Sequence, residues 1–571
     1  MAETAALSGS LLTNLSDSFP LYGGGASSSR KVIVGPQTEF NPETNKNIVL
    51  FLDGTSNEFG TNPYTNVLRL FQMTLMDEKS QVCYYQPGIG ARFEAESEDN
   101  VVTNMIDEAI ATSLSRHVVA AYNYIVSQYK PGDRIYLFGF SRGSFTCRAL
   151  AGMIERVGLL YRGLEHLTNQ AWEYYSNWQK AQAQAQTDDM RTLFEVFGET
   201  FCRLNVNIYF MGIFDSVNSV GLLRDKMFPY VIRSSNVVHT RHAISLDERR
   251  AKFKELFIKD AESRLKEVEQ GGSSSEVEES FKELMFSGNH GDVGGGWHTD
   301  TTVEGSVPSD HPWDKQLRYL SGVPMRWLLK EAQTMGVLFQ PKDIDDFNSK
   351  QAIQYTLFGY WHDILSFNSS PQLKFIPKSS ESLNTQDEIA SKSKLFKLQE
   401  NPPQKLTRFD GRGYGTLLKT LFWWILEVVP FAVKKDRASQ AELTGLIREC
   451  NHHNRKFCLV FTPNFGKHRD INYTADYHWS VFYRIHFITN YTPGNIKYNN
   501  QVSLQDKWGL GTKFINLMKV KESAFSEDLW EEIEEFRDKL NNLPTNSPKD
   551  YILLIKNDRS EFWLYLIDDY A

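Results

Sequence analysis

The sequence predicts an α/β protein: a mostly parallel sheet with helices on both faces, plus a small C-terminal α+β appendage. Three observations predict it. Short runs at 46–52, 81–85, 135–138 and 205–213 are rich in Val, Ile, Leu, Phe and Tyr and largely continuous rather than alternating, as strands buried on both faces require. Between the early runs lie segments with a helical period, giving the strand–helix–strand rhythm of a parallel sheet. Polar or Gly-containing loops follow the runs, at the edge where open α/β sheets bind ligands.

Residues 1–45 are rich in Ser, Gly, Thr and Asn around Gly23-Gly24-Gly25 and predict a disordered tail. The main domain is expected over 46–500, with helical insertions. Its first strand stops at Asp53-Gly54-Thr55, and Asp53 either lines a ligand site there or caps a helix over 66–76. The helix expected at 106–129 presents Ile110, Leu114, Val118, Tyr122 and Ile125 on one face, and Pro131-Gly132-Asp133 ends it. Residues 246–279 read as a charged helical region. The appendage, 501–571, is expected to hold a helix over 526–540 and a hairpin over 551–567.

Composition narrows the function. The 62 Lys and Arg against 70 Asp and Glu give a net charge of −8, with no broad basic face for nucleic acid. Cys83, Cys147, Cys202, Cys450 and Cys458 are scattered, without the C-x-x-C pairs of zinc or dithiol sites. No basic residue precedes Arg30, so no secretory signal is read, and a cytoplasmic location, peripheral at membranes at most, is expected. The apolar stretch 417–433 is too short to span a bilayer and contains Lys419, Glu427 and Pro430. A buried core helix is favoured there over a lid, or over lipid docking through Trp423 and Trp424.

The candidate chemistry sits at Gly139-Phe140-Ser141-Arg142-Gly143, between a buried strand and a helical pattern. This is the context of a G-x-S-x-G nucleophile elbow, whose glycines allow a turn tight enough to project the serine. The N–H of Arg142, with those around Gly54 and Thr55, would form an oxyanion hole. Asp215, after the strand at 205–213, is placed to orient a histidine, and His290, in the Gly-rich loop 288–296, is placed as the base. The order Ser141, Asp215, His290 is that of α/β-hydrolases. His478 is the rival base, while Asp53 and Asp292 are supporting acids. His290, Asp292 and His298 match no zinc spacing, so neither a metal nor an organic cofactor is expected.

Six pieces together resemble the uncharacterised α/β-hydrolase family that includes the catalytic domains of type VI secretion lipase effectors. They are Phe51-Leu-Asp-Gly-Thr55 with Asn57, Gly139-Phe-Ser-Arg-Gly143, Phe214-Asp-Ser-Val217 with Gly221, His242-Ala-Ile-Ser-Leu-Asp-Glu-Arg-Arg250, Gly288 through Trp297, and His478-Trp-Ser-Val481. They run in family order over about 46–485. The resemblance implies a Ser141–Asp215–His290 triad and activity on glycerophospholipid esters. Phe214 replaces a usual Trp, and Gly291 stands where Ser is common. No secretion-linked module is read, so toxin delivery is not carried over. The expected function is therefore a serine ester hydrolase of lipase or phospholipase type, with a lipid ester as substrate. A small-molecule esterase or thioesterase, or an inactive hydrolase-like binding scaffold, are the alternatives.

Overall fold

The computed structural model describes residues 40–54, 63–88, 103–183, 188–217, 236–253, 281–297, 319–350, 356–357, 359, 361–365, 417–428, 431–436, 446–452, 455–462, 465–469, 476–487, 491 and 493. The expected tail up to residue 39, the appendage at 501–571, Thr55 and His298 lie outside the described residues, as does the expected charged helix beyond 253.

The apolar run Asn47–Leu52 forms β1, buried along its whole length. It is followed by β2 (Gln81–Gln86), β3 (Arg134–Phe140), a short antiparallel pair, β4 (Leu159–Leu160) with β5 (Cys202–Arg203), then β6 (Ile208–Phe214), β7 (Val237–Ser245) and β8 (Phe281–Phe286). Farther along, β9 (Phe431–Asp436), β10 (Leu446–His452) and β11 (Arg455–Thr462) make a separate antiparallel sheet, and β12 (Asp476–Tyr477) returns to the first. The main sheet has the order β12-β8-β7-β6-β3-β1-β2, and every neighbouring pair in it is parallel.

Strand period divides the core in two. Val49, Phe51, Tyr136, Phe138, Phe210 and Phe214 face one layer, with α1 (Asn66–Met73), α7 (Gly322–Thr334) and α10 (Trp479–Phe487). Ile48, Leu50, Leu52, Ile135, Leu137 and Ile213 face the other, with α2 (Thr103–Gln128), α3 (Arg142–Val157), α4 (Thr168–Ala183) and α5 (Asp188–Phe201). Two further helices, α6 (His290–Gly294) and α8 (Pro341–Lys350), follow β8 and α7 respectively, and α9 (Leu417–Val428) precedes the small sheet.

Several expectations are corrected in detail. Helix α1 stops at Met73, because Thr74 turns extended and bridges Phe339. Its cap is Thr65, whose hydroxyl accepts the Leu68 N–H, so Asp53 is not the capping residue. Strand β7 lies just before the region expected to be helical. Its sequence, VVHTRHAIS, lacks an apolar run because its buried polar residues are paired: Arg241 with Glu331 at 2.5 Å and His242 with Glu283 at 2.8 Å. The stretch 417–433 divides into α9 and the start of β9, on either side of Pro430.

The predicted face of α2 is buried at Leu114, Val118, Tyr122 and Ile125. Tyr122 also carries a polar connection, since its hydroxyl donates to Gly158 O at 2.7 Å and accepts from Leu160 N at 2.9 Å. Both backbone groups lose this partner in Tyr122→Phe. Urea denaturation should register a loss of about 2 kcal/mol at unchanged m-value, because buried peptide groups left unpaired bear their full desolvation cost.

Candidate active site

The chain reverses its direction of travel across the sheet between β1 and β3, which flank one another although β2 lies between them in sequence. Crevices at such switch points, outside the carboxyl ends of the strands, are where ligands bind in α/β sheets. Ser141 directly follows β3 there, with φ 58° and ψ −123°, a conformation that costs a non-glycine residue free energy. The two glycines explain why the turn can be so tight. A Cβ at Gly139 would lie 2.7 Å from Ser144 N, and one at Gly143 would lie 2.1 Å from Leu52 O. The elbow is thus pressed against the end of β1 on one side. On the other, Ser141 N–H donates to Phe214 O at 3.1 Å, tying it to the end of β6.

Asp215 is the next residue after β6, fully buried and with φ 39°. Its Oδ2 is 2.6 Å from His290 Nδ1. His290 opens α6 rather than lying in an open loop. The Asn289 side chain accepts from the N–H groups of Gly291 and Asp292, and the Asp292 carboxylate accepts from Asn289 N–H, a complete capping box. The imidazole packs against the Phe140 and Phe253 rings, each with its centroid 4.6 Å away. Since Phe140 immediately precedes Ser141, this packing carries the imidazole to the elbow. Among the described residues, Ser141 Oγ makes no hydrogen bond to His290, and such contacts often tighten only when substrate is bound.

Electrostatics set the two partners apart. Burial would raise the Asp215 carboxyl, but the Arg469 guanidinium and the His290 hydrogen bond outweigh it and hold the group well below the usual carboxylate range. Burial lowers the His290 imidazole from its ordinary value more than Asp215 raises it, and Arg250 lowers it further.

Residues not anticipated from sequence surround the pair. Ser245, at the end of β7, donates to Asp215 through its N–H at 2.8 Å and its hydroxyl at 3.0 Å. Glu248 accepts the His290 N–H at 3.1 Å and pairs with Arg250 at 2.7 Å. Asp247 accepts the Gly288 N–H at 2.6 Å, fixing the loop before the histidine. These three lie in the His242–Arg250 motif, which was the available signal. Arg469 had none.

The remaining candidates are placed as follows. Gly54 N–H donates to Asp53 Oδ1 at 2.6 Å, so in this state it is engaged by its neighbour. Asp292 holds α6 and receives His362, with Nδ1 at 2.6 Å. His478 stacks on Phe286 at 4.6 Å, with Nδ1 2.9 Å from Ser480 Oγ. It follows β12, on the sheet edge, three strands intervening before β3, and is not brought to the elbow.

A strongly parallel sheet with helices on both faces, carrying a strained serine turn and an Asp–His pair at neighbouring strand ends, defines an α/β-hydrolase-like protein. Residues 46–331 match the family described as T6SS, Phospholipase effector Tle1-like, catalytic domain, and the chain belongs to that family, whose description is that of lipid-ester hydrolases. It is 30% identical over 608 aligned positions to Uncharacterized protein YEL023C of Saccharomyces cerevisiae, covering 84% of this chain and 85% of that protein. Two solved structures are more distant. An uncharacterized protein from Pseudomonas aeruginosa is 17% identical at a TM-score of 0.30, over 55% of this chain and 50% of that one. The Tle1 effector bound to the VgrG spike is 14% identical at 0.29, over 75% and 92%. Superpositions this partial bear on neither fold nor function.

Asp53 offers a test of the crevice. Its buried carboxylate accepts from Gly54 N–H, Thr65 Oγ at 2.8 Å and Tyr85 Oη at 2.9 Å, all neutral donors. Burial pushes it up to about 7, against the lowering effect of those hydrogen bonds. Its folded value is raised, so the native state holds the extra proton between about pH 4 and 7, and stability falls as pH rises through that window. The melting temperature of the natural protein should therefore fall relative to Asp53→Asn between pH 5 and 8. A difference constant across that range would contradict the assignment.

Proposed function

We propose that this protein is a serine hydrolase of lipid carboxylic esters working through an acyl-enzyme. The observation that carries the reading is the 2.6 Å Asp215–His290 contact beside a serine held in a strained turn at the end of a neighbouring segment of the same sheet. With Nδ1–H donated to Asp215, the other imidazole nitrogen, Nε2, is the basic one. It takes the proton as Ser141 Oγ attacks the ester carbonyl, then returns it to the departing alkoxide; water repeats the sequence to release the acid. The Arg142 N–H, in the first turn of α3, is one oxyanion donor. The loop at Gly54 and Thr55 supplies the other, which requires Gly54 N–H to turn from Asp53 toward the oxyanion.

The surroundings suit a substrate embedded in a lipid surface. Leu421 and Val428 lie two turns apart on one face of α9 and are 43% and 52% exposed. Phe465, 62% exposed, hydrogen-bonds by its N–H to Glu427 O at the end of that helix. The two tryptophans turn elsewhere: Trp423 packs 5.8 Å from the Phe253 ring, and Trp424 donates to Leu365 O at 2.9 Å. Helix α9 is therefore one ring away from His290, with an apolar edge outside. No helix among the described residues is long and apolar enough to cross a membrane. Contact at the bilayer surface is the mode proposed.

A fluorophosphonate probe should modify one residue, Ser141. Labelling should vanish in Ser141→Ala and fall at least about a hundredfold in His290→Ala, the size expected for loss of a general base. Labelling that persists in Ser141→Ala would overturn the reading. In a second measurement, the triple change Leu421→Ser, Val428→Ser, Phe465→Ser should depress hydrolysis of phospholipid vesicles while sparing a dispersed short-chain ester. Equal rates on vesicles, before and after the change, would refute the lipid-surface role. A natural protein active only on the dispersed ester would point to a small-molecule esterase.

A further inference from the structure

Arg469 lies beyond the residues that match the family, yet its side chain is buried against the acid. Its Nη1 is 2.7 Å from Asp215 Oδ1 and its Nη2 is 2.9 Å from Oδ2, a two-pronged contact. Nη1 also reaches Ser245 Oγ at 2.7 Å and Ser245 O at 3.1 Å. Nε donates to Phe253 O at 2.9 Å, and Nη2 donates to the same carbonyl. One guanidinium thus grips both oxygens of the carboxylate, the serine that braces it, and the residue whose ring covers His290.

We propose that Arg469 is a positioning residue for the Asp215–His290 pair, clamping the carboxylate so that one oxygen is directed at His290 Nδ1. The proposal rests on the reading of Ser141, Asp215 and His290 given above. A planar guanidinium fixes a carboxylate's rotation as well as its place, which a single donor cannot do. With Ser245 and His290, five donor contacts meet one carboxylate, and the acid has no freedom left to swing away.

The clamp also has an electrostatic consequence. A lone buried carboxylate strongly favours the imidazolium form of its partner, whereas a carboxylate already paired with a cation favours it less. The other charged groups facing His290 are Glu248 and Arg250 from the segment after β7, which pair with one another. On its own helix, Asp292 is directed to His362. Arg469 is therefore the cation that offsets Asp215, and it keeps the base uncharged to lower pH.

The test is the pH dependence of fluorophosphonate labelling at Ser141 in the full chain. In the natural protein the acid limb should lie below about 6.5, the ordinary imidazole value. Arg469→Met should slow labelling and move that limb upward by about one unit, the size expected when a nearby cation is removed. A purely structural side chain would lower the rate equally at every pH, so an unmoved limb in a folded Arg469→Met overturns the proposal. Arg469→Lys keeps the charge and loses the two-pronged grip. Its limb should stay where it is in the natural protein while the rate falls about tenfold, one hydrogen-bonded charge contact being worth roughly that. If Arg469→Met does not fold, a natural rate in Arg469→Lys overturns the proposal by itself. Absence of Ser141 labelling in the natural protein at any pH would instead overturn the underlying reading of the serine.

Discussion

A carboxylate removed from water has to be compensated, and the end of the sheet is built around meeting that requirement for Asp215. The group has no solvent exposure and draws donors from β7, α6 and the loop carrying Arg469. Each donor belongs to a different part of the chain, so meeting the carboxylate's needs also fixes where those parts stand. The end of β7 braces the acid through Ser245, and the loop that follows holds Gly288 through Asp247 and receives the His290 N–H on Glu248. The imidazole is thereby held at its ring by the acid and at its backbone by the continuation of the strand that supports the acid.

The serine turn answers to a different constraint, that of close packing. Its neighbours are backbone atoms, Leu52 O on one side and Phe214 O on the other. Strain at φ 58° is maintained because the surrounding strands leave no room for relaxation. Electrostatics thus position the Asp215 carboxylate and the His290 imidazole, while steric contact positions the serine, and the Phe140 ring links the two arrangements.

Much of this was legible in the sequence, for identifiable reasons. Strands β1, β3 and β6 announce themselves because burial on both faces demands apolar runs, and the serine turn because only glycine fits beside it. Strand β7 is disguised: Arg241 and His242 look like surface residues until Glu331 and Glu283 are seen opposite them. The placement of His290 on a helix was hidden by its glycines, because the capping box of Asn289 and Asp292 outweighs their flexibility. Arg469 stands alone in a polar stretch with no motif around it, and its importance arises entirely from tertiary approach. Trp423 and Trp424, whose lipid docking was the less favoured alternative to a core helix, turn to the Phe253 ring and the Leu365 carbonyl, partners that the local sequence does not announce.

The distance along the chain between Asp215 and its guanidinium partner, 254 residues, has a bearing on how the protein is made. Strands β1 through β8 all precede Arg469, and so does every other donor to the acid. A growing chain therefore has nearly the whole sheet before the acid's countercharge has been synthesised. The family match ends at residue 331, so this buried ion pair joins a residue inside the matched stretch to one beyond it, and the carboxylate gains its cation only once the later segment has docked.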